Sequence, residues 1–528
     1  MLQNKEKKKP EIFFKTITFN DGTKIPLKRN SIVVFTGANN SGKSQLLKDI
    51  ENSLNSSNHS STIIVRNTEC DFGGEIDNPE FINENFFINE NGYYQQFGKY
   101  MALSMDSLKY MWKNQKLTND VHSLFVKRLG TELRLQVSNA LDRNHQPEQH
   151  PIYKMINDND LEQRLSVYFF QAFGLDLVVN RNEIKTIPLH VGMAPVKQSY
   201  TMDKQDDYYK QVCKLPKLQE QGDGMRSFVS ILLDTFISNH SVSLIDEPEA
   251  FLHPPQARVL GKMLAKNNPC ERQLFISTHS EDFLQGLLDA DNKNVIVIRI
   301  NRIENINKMS VLQNEQIKLL WGNPILRYSN ILSGLFHEKV VVCESDYDCL
   351  FYQAIIDAIY EKDGEIAPDI LFVHCGGKHR VKDIVAALKA INVPVVSICD
   401  FDLLNSKPTF KGVVDAYGID WQRDFELDMK TIYDGMNAKP NAWENIKKIG
   451  KAGFSGNEPA AYEKIENKCK KMGLFIIPVG EIECFVKTVN KEKKDWVYFI
   501  LENFDLANDI KLDEARKFVK EIVDYKTT

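Results

Sequence analysis

The chain has 528 residues, of which 42% are hydrophobic and 26% charged, and its formal net charge is −5. This size predicts two to four domains with sizeable cores, and the acidic balance excludes a uniformly basic, nucleic-acid-coating protein. No apolar run approaches the roughly 18–20 residues of a membrane span, the lysine-rich start lacks an apolar signal segment, and the cysteines show no metal-binding spacing. We therefore expect a soluble cytoplasmic protein without a membrane partner.

Residues 11–35 alternate between apolar and polar positions around an Asp-Gly turn, which predicts short antiparallel strands. The last of these strands runs into a glycine-rich loop that fits the pattern G-x-x-x-x-G-K-S, and a helix is predicted to follow. Glycines permit the tight path of such a loop, N–H groups at the helix start point at phosphates, and the lysine and serine reach phosphate and Mg²⁺. The pattern predicts a nucleoside triphosphate site built from Gly37, Asn39, Asn40, Ser41, Gly42, Lys43 and Ser44.

Residues 101–189 carry apolar side chains mostly at three- and four-residue spacing, which predicts helices. We interpret this stretch as a helical insertion, with dimerisation as one candidate role, in an ATPase domain that covers 1–100 and 190–320. The lysines and arginines of the insertion are expected to form a solvated helix face, with a nucleic-acid surface as the alternative.

Three further features follow the insertion. A turn containing Gly222 and Gly224 opens an apolar helix, and a helix start is a ready anion site. An apolar strand then ends in Asp246 and Glu247, of which the aspartate can support Mg²⁺ and the glutamate can polarise an attacking water. A second strand ends just before His279, at the edge where open α/β sheets bind ligands. Each feature alone has a purely structural explanation, but in this order after a P-loop they favour an ATPase site.

These motifs resemble the Walker A, signature, Walker B and H-loop motifs of ABC-type ATPases in the SMC/RecF/OLD group. The matching segments are Gly37–Ser44, Gly222–Ser227, Asp246–Glu249 with Leu252–Pro254, and Thr278–Ser280. ATPases of this group sandwich ATP between two subunits, so the resemblance implies a homodimer or a higher oligomer. It also implies phosphate and Mg²⁺ binding by Lys43 and Ser44, Mg²⁺ support by Asp246, a hydrolytic base in Glu247 and a γ-phosphate sensor in His279. The family signature usually offers a serine where this chain has Gly222, so contact with the nucleotide of the second subunit is expected to be weaker or made by backbone alone.

A second alternation of strands and helices begins near residue 336, after a stretch (321–335) predicted as a linker, and indicates a parallel sheet. Acidic residues follow its strands, and the carboxyl ends of parallel strands meet at one edge of the sheet. Converging carboxylates repel one another unless a cation neutralises them, and hard oxygen ligands suit Mg²⁺ or Mn²⁺. Two such ions could clamp a phosphodiester displacement. The candidate ligands are Glu344, Asp348, Asp400, Asp402, Glu481 and Glu483, with helix capping as the alternative role for the first four.

This second block resembles a Toprim domain, in which Glu344 matches the glutamate motif and Asp400-Phe401-Asp402 matches the D-x-D motif. An ABC-type ATPase followed by Toprim in one chain resembles the OLD (overcoming lysogenisation defect) family of nucleases. The resemblance implies catalytic roles for Glu344, Asp400 and Asp402, and a catalytic lysine near the C-terminus. The candidates for that lysine are Lys511, Lys517 and Lys520.

The predicted fold class is therefore α/β, with an ABC-type P-loop ATPase domain followed by a Toprim domain over 336–528. The predicted function is an ATP-regulated nuclease that uses ATP and Mg²⁺, with Mn²⁺ as an alternative ion. DNA is its expected substrate. The resemblance further implies anti-phage defence, beside a partner such as a reverse transcriptase with its DNA or a helicase. Two alternatives remain open at this point: an SMC/RecF-like clamp whose C-terminal domain binds DNA without cleaving it, and an RNase that acts on structured RNA.

Overall fold

The structure, a computed structural model, describes residues 7–54, 62–97, 99–142, 150–195, 202–303, 306–312 and 331–526. The fold forms two compact units, Met1–Asn314 and Glu315–Thr528. Of the predicted linker, residues 321–330 lie outside the described residues, as do residues 1–6 of the lysine-rich start. Among the described helices, none combines the length and the apolar character needed to cross a membrane.

The strands of the first unit alternate with helices through most of its length. The strands are β1 Glu11–Phe19, β2 Lys24–Pro26, β3 Ile32–Thr36, β4 Val65–Gly73, β5 Phe86–Ile88, β6 Tyr94–Gln96, β7 Ala102–Leu103, β8 Val126–Leu129, β9 Leu141–Asp142, β10 Asp176–Val179, β11 Thr186–Ile187, β12 Leu189–Gly192, β13 Val242–Asp246, β14 Gln273–Ser277, β15 Val295–Ile303 and β16 Ile306–Leu312. The helices are α1 Lys43–Ser53, α2 Pro79–Asn85, α3 Met105–Lys113, α4 Asn119–His122, α5 Thr131–Val137, α6 Pro151–Asn157, α7 Asn159–Phe173, α8 Met202–Val212, α9 Asp223–Ile237, α10 Pro254–Asn267 and α11 Glu281–Asp289.

A six-stranded sheet with the order β16-β15-β3-β14-β13-β8 forms the centre of this unit. All of its neighbouring strands are parallel except the β15–β16 pair, which is antiparallel. Strand β3 is buried along its whole length, as expected for an apolar run covered on both faces. The predicted antiparallel strands before it form a separate sheet, β2-β1-β4, which packs on the central sheet through contacts such as the edge-to-face pair of Phe14 and Phe275.

The range 101–189 differs from the predicted helical insertion. It contains helices α3 to α7, but it also supplies β8, which pairs in parallel with β13 and completes one edge of the central sheet. Local spacing predicts a helix through Val126–Leu129, yet this segment gains a ladder of hydrogen bonds by pairing with a strand more than a hundred residues away. The segment is therefore an integral part of the central sheet at this point.

The second unit is built on a parallel sheet with the order β18-β17-β19-β20. Its strands are β17 Lys339–Cys343, β18 Ile370–His374, β19 Val395–Cys399 and β20 Leu474–Ile476. Its helices are α12 Asp346–Asp363, α13 Val381–Ala390, α14 Lys407–Ala416, α15 Trp421–Asp424, α16 Glu426–Asn437, α17 Ala442–Ile449, α18 Glu458–Met472, α19 Lys493–Asn503 and α20 Asp513–Asp524. Large buried side chains from α12, α19 and α20 cover one face of the sheet, among them Tyr352, Trp496 and Phe518. This core fixes the carboxyl ends of β17 and β19 next to each other.

Candidate nucleotide and metal sites

The glycine-rich loop between β3 and α1 encloses the side chain of Lys43. The Lys43 ammonium group donates hydrogen bonds to the carbonyl oxygens of Gly37 and Ala38, at 2.8 Å each. Gly37 and Gly42 have φ angles of 145° and 99°, and a Cβ on Gly37 would lie only 2.3 Å from the carbonyl oxygen of Ile300. The loop path therefore requires glycine at position 37, where the backbone of β15 packs directly against the loop.

Asp246 contacts Ser44 at the carboxyl edge of the central sheet. The Ser44 hydroxyl donates to Asp246 Oδ1 at 3.1 Å, and Ser277 donates to the same oxygen from the end of β14. These contacts arise because β13 and β14 are parallel neighbours and both end at this edge. A serine hydroxyl beside a carboxylate is the donor set that holds Mg²⁺ in P-loop enzymes. The side chains present here fit a magnesium ion.

Glu247 and His279 meet beside this pair. His279 Nε2 lies 3.5 Å from Glu247 Oε1, and burial, followed by the charge of Lys43, lowers the pKa of His279 to about 4. The imidazole is therefore neutral at pH 7, and one ring nitrogen can accept a hydrogen bond while the other donates. The structure thus brings Lys43, Ser44, Asp246, Glu247 and His279 into one neighbourhood.

Two residues that sequence reasoning did not assign to the site hold this neighbourhood in place. Arg134 is fully buried, and both of its terminal nitrogens donate to the carbonyl oxygen of Glu247 at 3.0 Å. Glu249 Oε1 accepts hydrogen bonds from the Thr278 hydroxyl at 2.9 Å and from the His279 backbone N–H at 2.7 Å. Glu249 could have been suspected from its place two residues after Glu247, whereas Arg134 carries no local signal.

The predicted signature glycines lie at the start of α9. A Cβ on Gly224 would lie 2.5 Å from the carbonyl oxygen of Phe251, so this glycine permits a close approach of two backbone segments. Gly222 precedes the helix in an extended conformation, and a Cβ there would meet nothing within 4 Å. The predicted contact of Gly222 with the nucleotide of a second copy stays a prediction. Asn39, Asn40 and Ser41 lie in the P-loop, and Asn40 adopts a left-handed φ of 61°.

Three of the predicted metal ligands converge in the second unit. One carboxylate oxygen from each of Glu344, Asp400 and Asp402 lies within 4.8 Å of the others. Glu344 follows β17, and its Oε1 accepts the backbone N–H of Asp400 at 3.0 Å. The arrangement follows from the parallel pairing of β17 with β19, which brings both strand ends to the same edge.

Burial and mutual repulsion disfavour the ionised forms of two of these carboxylates. Burial raises the pKa of Glu344 to about 7, and the charges of Asp402 and Asp348 add to the effect. Burial and the charge of Glu344 likewise hold the pKa of Asp400 well above its usual range. The Oδ1 atom of Asp402 is buried without a hydrogen-bond partner. Crowded acidic oxygens with one unpaired buried acceptor fit a divalent cation.

Two lysines that sequence reasoning did not assign to the site contact Asp402. Lys378 and Lys447 each place their ammonium group 2.8 Å from Asp402 Oδ2, and Lys447 also lies 3.1 Å from Glu481 Oε1. Burial acts to raise the pKa of Asp402, but the hydrogen bonds from these lysines outweigh it, and the net pKa is lowered. Lys378 follows a Gly-Gly pair at the end of β18, a position that could have been suspected from sequence.

The other predicted acidic ligands lie around the three carboxylates. Asp348 caps α12, where its Oδ2 accepts the backbone N–H of Ser345 at 2.9 Å, and burial raises its pKa to about 6. Glu483 accepts the backbone N–H of Lys493 at 2.6 Å, and its negative charge adds to the raised pKa of Asp348. Asp348 therefore makes the capping contact that the sequence left as an alternative to metal binding.

The candidate catalytic lysines near the C-terminus have other neighbours. The ammonium group of Lys511 lies 5.6 Å from the centre of the Phe504 ring, and Lys517 is exposed on α20. Lys520, on the same helix, lines a small cavity next to α12. In the described part of the chain, no ion pair joins these lysines to Glu344, Asp400 or Asp402. Their catalytic role stays a prediction.

The geometry defines the class of protein. A P-loop with its carboxylate strand in one unit, and a parallel sheet with a Glu and D-x-D cluster in the other, describe a P-loop ATPase joined to a Toprim domain. A family model of the AAA domain, described with the AbiEii toxin and Type IV TA systems, matches residues 189–284. A model described as "Overcoming lysogenization defect protein-like, TOPRIM domain" matches residues 335–402.

Curated relatives agree with these models. The Old nuclease of Escherichia phage P2 is 24% identical over 304 residues, which cover 53% of this chain and 50% of that protein. The OLD nuclease of Thermus scotoductus is 28% identical over 173 residues, or 30% of either chain. The chain thus matches at most about half the length of these two relatives. A solved SmcHead bound to the C-winged helix domain of ScpA aligns over 58% of this chain and 99% of that chain, at 11% identity and a TM-score of 0.36.

Residues 335–402 therefore carry an OLD-like Toprim domain, and the chain resembles the OLD nucleases over part of its length. The predicted fold class, an ABC-type P-loop ATPase domain followed by a Toprim domain, is confirmed. The two domains imply ATP and a divalent cation as cofactors.

Proposed function

We propose that this protein is an ATP-regulated, divalent-metal-dependent nuclease, and that DNA is its substrate. The observation that carries the proposal is the convergence of Glu344, Asp400 and Asp402 at one sheet edge, with their oxygens within 4.8 Å. The OLD nucleases of phage P2 and Thermus scotoductus, which match this chain in part, support the same activity.

The carboxylates define where a cation would bind. Glu344, Asp400 and Asp402 would hold a first ion, for which we propose Mg²⁺, with Mn²⁺ as an alternative. Asp348, Glu481 and Glu483 would contribute to a second ion in a two-metal arrangement. A divalent cation in such a site neutralises charge on phosphoryl oxygens and lowers the pKa of an attacking water. Lys378 restrains the Asp402 side chain through its 2.8 Å contact, so that this carboxylate is oriented before substrate arrives.

The first unit would control cleavage. Ser44 and Asp246 would hold Mg²⁺ on a bound ATP, Lys43 would contact its phosphates, and Glu247 with His279 would orient the water for hydrolysis. The family arrangement places ATP between two copies, so ATP binding would join two chains through their first units. ATP would therefore determine when the Toprim domain cleaves. We further propose a cytoplasmic location and, from the family resemblance, a role in anti-phage defence beside a reverse transcriptase or helicase partner.

Plasmid cleavage by matched variants tests the proposal. Wild-type protein should cleave supercoiled DNA in Mg²⁺ or Mn²⁺, and Asp400→Asn should lower the rate by about 100-fold or more, because it removes one cation-binding charge. Asp415→Asn, an exposed aspartate of the same unit, is the control and should cleave like wild type.

Equal cleavage by wild type and Asp400→Asn would contradict the Toprim site. A wild-type protein that binds plasmid with ATP but never cleaves it would support a DNA clamp instead. Preferential digestion of total RNA over plasmid would replace DNA with RNA as the substrate.

A further inference from the structure

Lys447 reaches the carboxylate site from a helix inserted between β19 and β20. Its ammonium group lies 2.8 Å from Asp402 Oδ2 and 3.1 Å from Glu481 Oε1, so that it joins the two acidic residues. These two residues come from different segments, since Asp402 follows β19 and Glu481 follows β20. The ammonium group of this lysine therefore links the carboxylates of the two segments.

The backbone of Lys447 is held tightly against the loop after β20. A Cβ on Gly480 would lie 2.0 Å from the carbonyl oxygen of Lys447, and a Cβ on Gly450 would lie 2.1 Å from that of Pro478. The backbone N–H of Lys451 also donates to the Pro478 carbonyl at 2.9 Å. Two glycines thus let two backbone segments touch. The position of the Lys447 main chain is fixed relative to Glu481.

The side chain of Lys447 is far more exposed than the carboxylate that it contacts. Its relative exposure is 48%, whereas that of the Asp402 side chain is 5%. A half-exposed lysine has a flexible four-carbon stem, so its ammonium group can move into water when another cation takes its place beside Asp402. The fixed backbone and the free stem together allow the ammonium group to leave the site without a change of fold.

The two oxygens of Asp402 have different environments. Oδ2 receives both lysines, Lys378 and Lys447, at 2.8 Å, whereas Oδ1 is buried without a hydrogen-bond partner. Oδ2 of this carboxylate is thus occupied by the two lysines, and Oδ1 can bind a cation shared with Glu344 and Asp400.

We infer that Lys447 is a displaceable counter-ion that occupies the place of a second divalent cation between Asp402 and Glu481. The inference rests on the proposed nuclease function and concerns the number of ions that the site holds. A divalent cation that bridges these two oxygens would lie about 2.0–2.4 Å from each, in the space that the Lys447 ammonium group fills, so the two exclude each other. Lys378 contacts Asp402 but not Glu481, and it can stay in place. With Lys447 in place the site holds one cation, at Glu344, Asp400 and Oδ1 of Asp402. A second cation enters only when Lys447 swings out.

Mn²⁺ binding to the full-length, nucleotide-free protein tests this inference without any cleavage measurement. Titration calorimetry or the loss of free Mn²⁺ signal in electron paramagnetic resonance gives the number of ions bound and their affinity. Asp400→Asn serves as the reference, because the difference between it and wild type isolates the binding that depends on the carboxylate site.

Lys447→Met should bind one additional Mn²⁺, or bind Mn²⁺ at least about fivefold more tightly, because it removes a competing charge but keeps most of the stem. Lys448→Met is the matched control on the same helix and should bind like wild type. Lys447→Arg keeps the positive charge and should also resemble wild type. Thermal unfolding in EDTA checks that each variant folds, and Lys447→Gln replaces the methionine variant if that one does not.

The outcomes separate this inference from the proposed function. Unchanged or weaker Mn²⁺ binding by Lys447→Met, with Asp400→Asn still reduced, would overturn the counter-ion role and leave the nuclease proposal intact. Equal binding by wild type and Asp400→Asn would instead remove the metal site itself.

Discussion

Arg134 is a buried arginine whose guanidinium group donates hydrogen bonds to a backbone carbonyl oxygen. Both terminal nitrogens donate to the Glu247 carbonyl oxygen at 3.0 Å, and Glu247 adopts a left-handed φ of 48°. Such a conformation costs about 1–2 kcal/mol for a residue other than glycine, so surrounding contacts must maintain it. Arg134 therefore positions the candidate hydrolytic base through the main chain.

The first prediction follows from this contact. Arg134→Met should lower kcat for ATP hydrolysis by about tenfold or more, with a smaller change in the KM for ATP, because it releases Glu247 while leaving the P-loop intact. Arg134→Lys should not restore the rate, since one ammonium group cannot replace two nitrogens on one carbonyl. Steady-state kinetics provide the measurement.

Arg128→Met is the matched control for the arginine prediction. Arg128 lies on β8 and contacts Glu51 at 2.6 Å, and its side chain is 31% exposed, so its loss should leave hydrolysis unchanged. A rise in KM alone for Arg134→Met would show that the arginine supports nucleotide binding and does not position Glu247.

At the scale of elements, the sequence predicts the carboxylates at the strand ends, but it does not predict that Lys447 on the inserted helix contacts them. Glu344 and Asp400 follow apolar strands, and parallel strands bring such residues together whatever the rest of the chain does. Lys447 lies on a helix with no motif, and its contact with the site depends on close backbone approaches at Gly450 and Gly480. Side-chain spacing contains no information about such an approach.

Local sequence likewise does not predict the strand conformation of β8 in the first unit. The spacing of its apolar residues is compatible with a helix, and only the parallel partner β13 decides for a strand. Arg134 comes soon after β8, so its role as a support for Glu247 depends on this pairing. The candidate binding residues could be predicted from the sequence, whereas the residues that hold them in place required the tertiary structure.

Gly480 gives the second prediction, which concerns the contact between α17 and the β20 loop. Gly480→Ala should lower the free energy of unfolding of the second unit by about 2–3 kcal/mol, because the new Cβ would lie 2.0 Å from the Lys447 carbonyl oxygen and the φ of 123° disfavours alanine. It should also reduce plasmid cleavage, since both Lys447 and Glu481 would shift. Urea unfolding monitored by tryptophan fluorescence measures the stability change.

Gly364→Ala separates the clash at Gly480 from backbone strain. Gly364 caps α12 at a φ of 67°, and a Cβ there would meet nothing within 4 Å. This variant should lose only about 1 kcal/mol and cleave like wild type. Equal losses for the two alanine variants would show that the close approach at Gly480 contributes no stability.

For the molecule as a whole, burial keeps several histidines of the first unit neutral when folded, among them His240 and His150. Burial lowers the pKa of His240 to about 4, with Asp234 opposing the shift and Lys127 and Arg272 adding to it. Burial lowers the pKa of His150 to about 4 as well, again with a contribution from Lys127. Neither histidine belongs to the candidate sites. Both therefore affect the stability of the unit and not its chemistry.

The last prediction is the acid sensitivity of the first unit. An unfolded histidine has a pKa of about 6.5, so between about pH 6.5 and 4 the unfolded chain binds protons that the folded unit excludes. The stability of the unit should therefore fall as the pH falls through this window, by at most about 1.4 kcal/mol per pH unit for each histidine. His150→Asn, which keeps a helix-capping side chain before α6, and His240→Gln should each make the decline less steep. His337→Gln, in the second unit, should leave it unchanged. Calorimetric unfolding at a series of pH values measures how the stability of the first unit changes with pH, and added ATP identifies the transition that belongs to this unit. The same pH dependence for wild type and for the variant that carries both histidine substitutions would contradict the prediction.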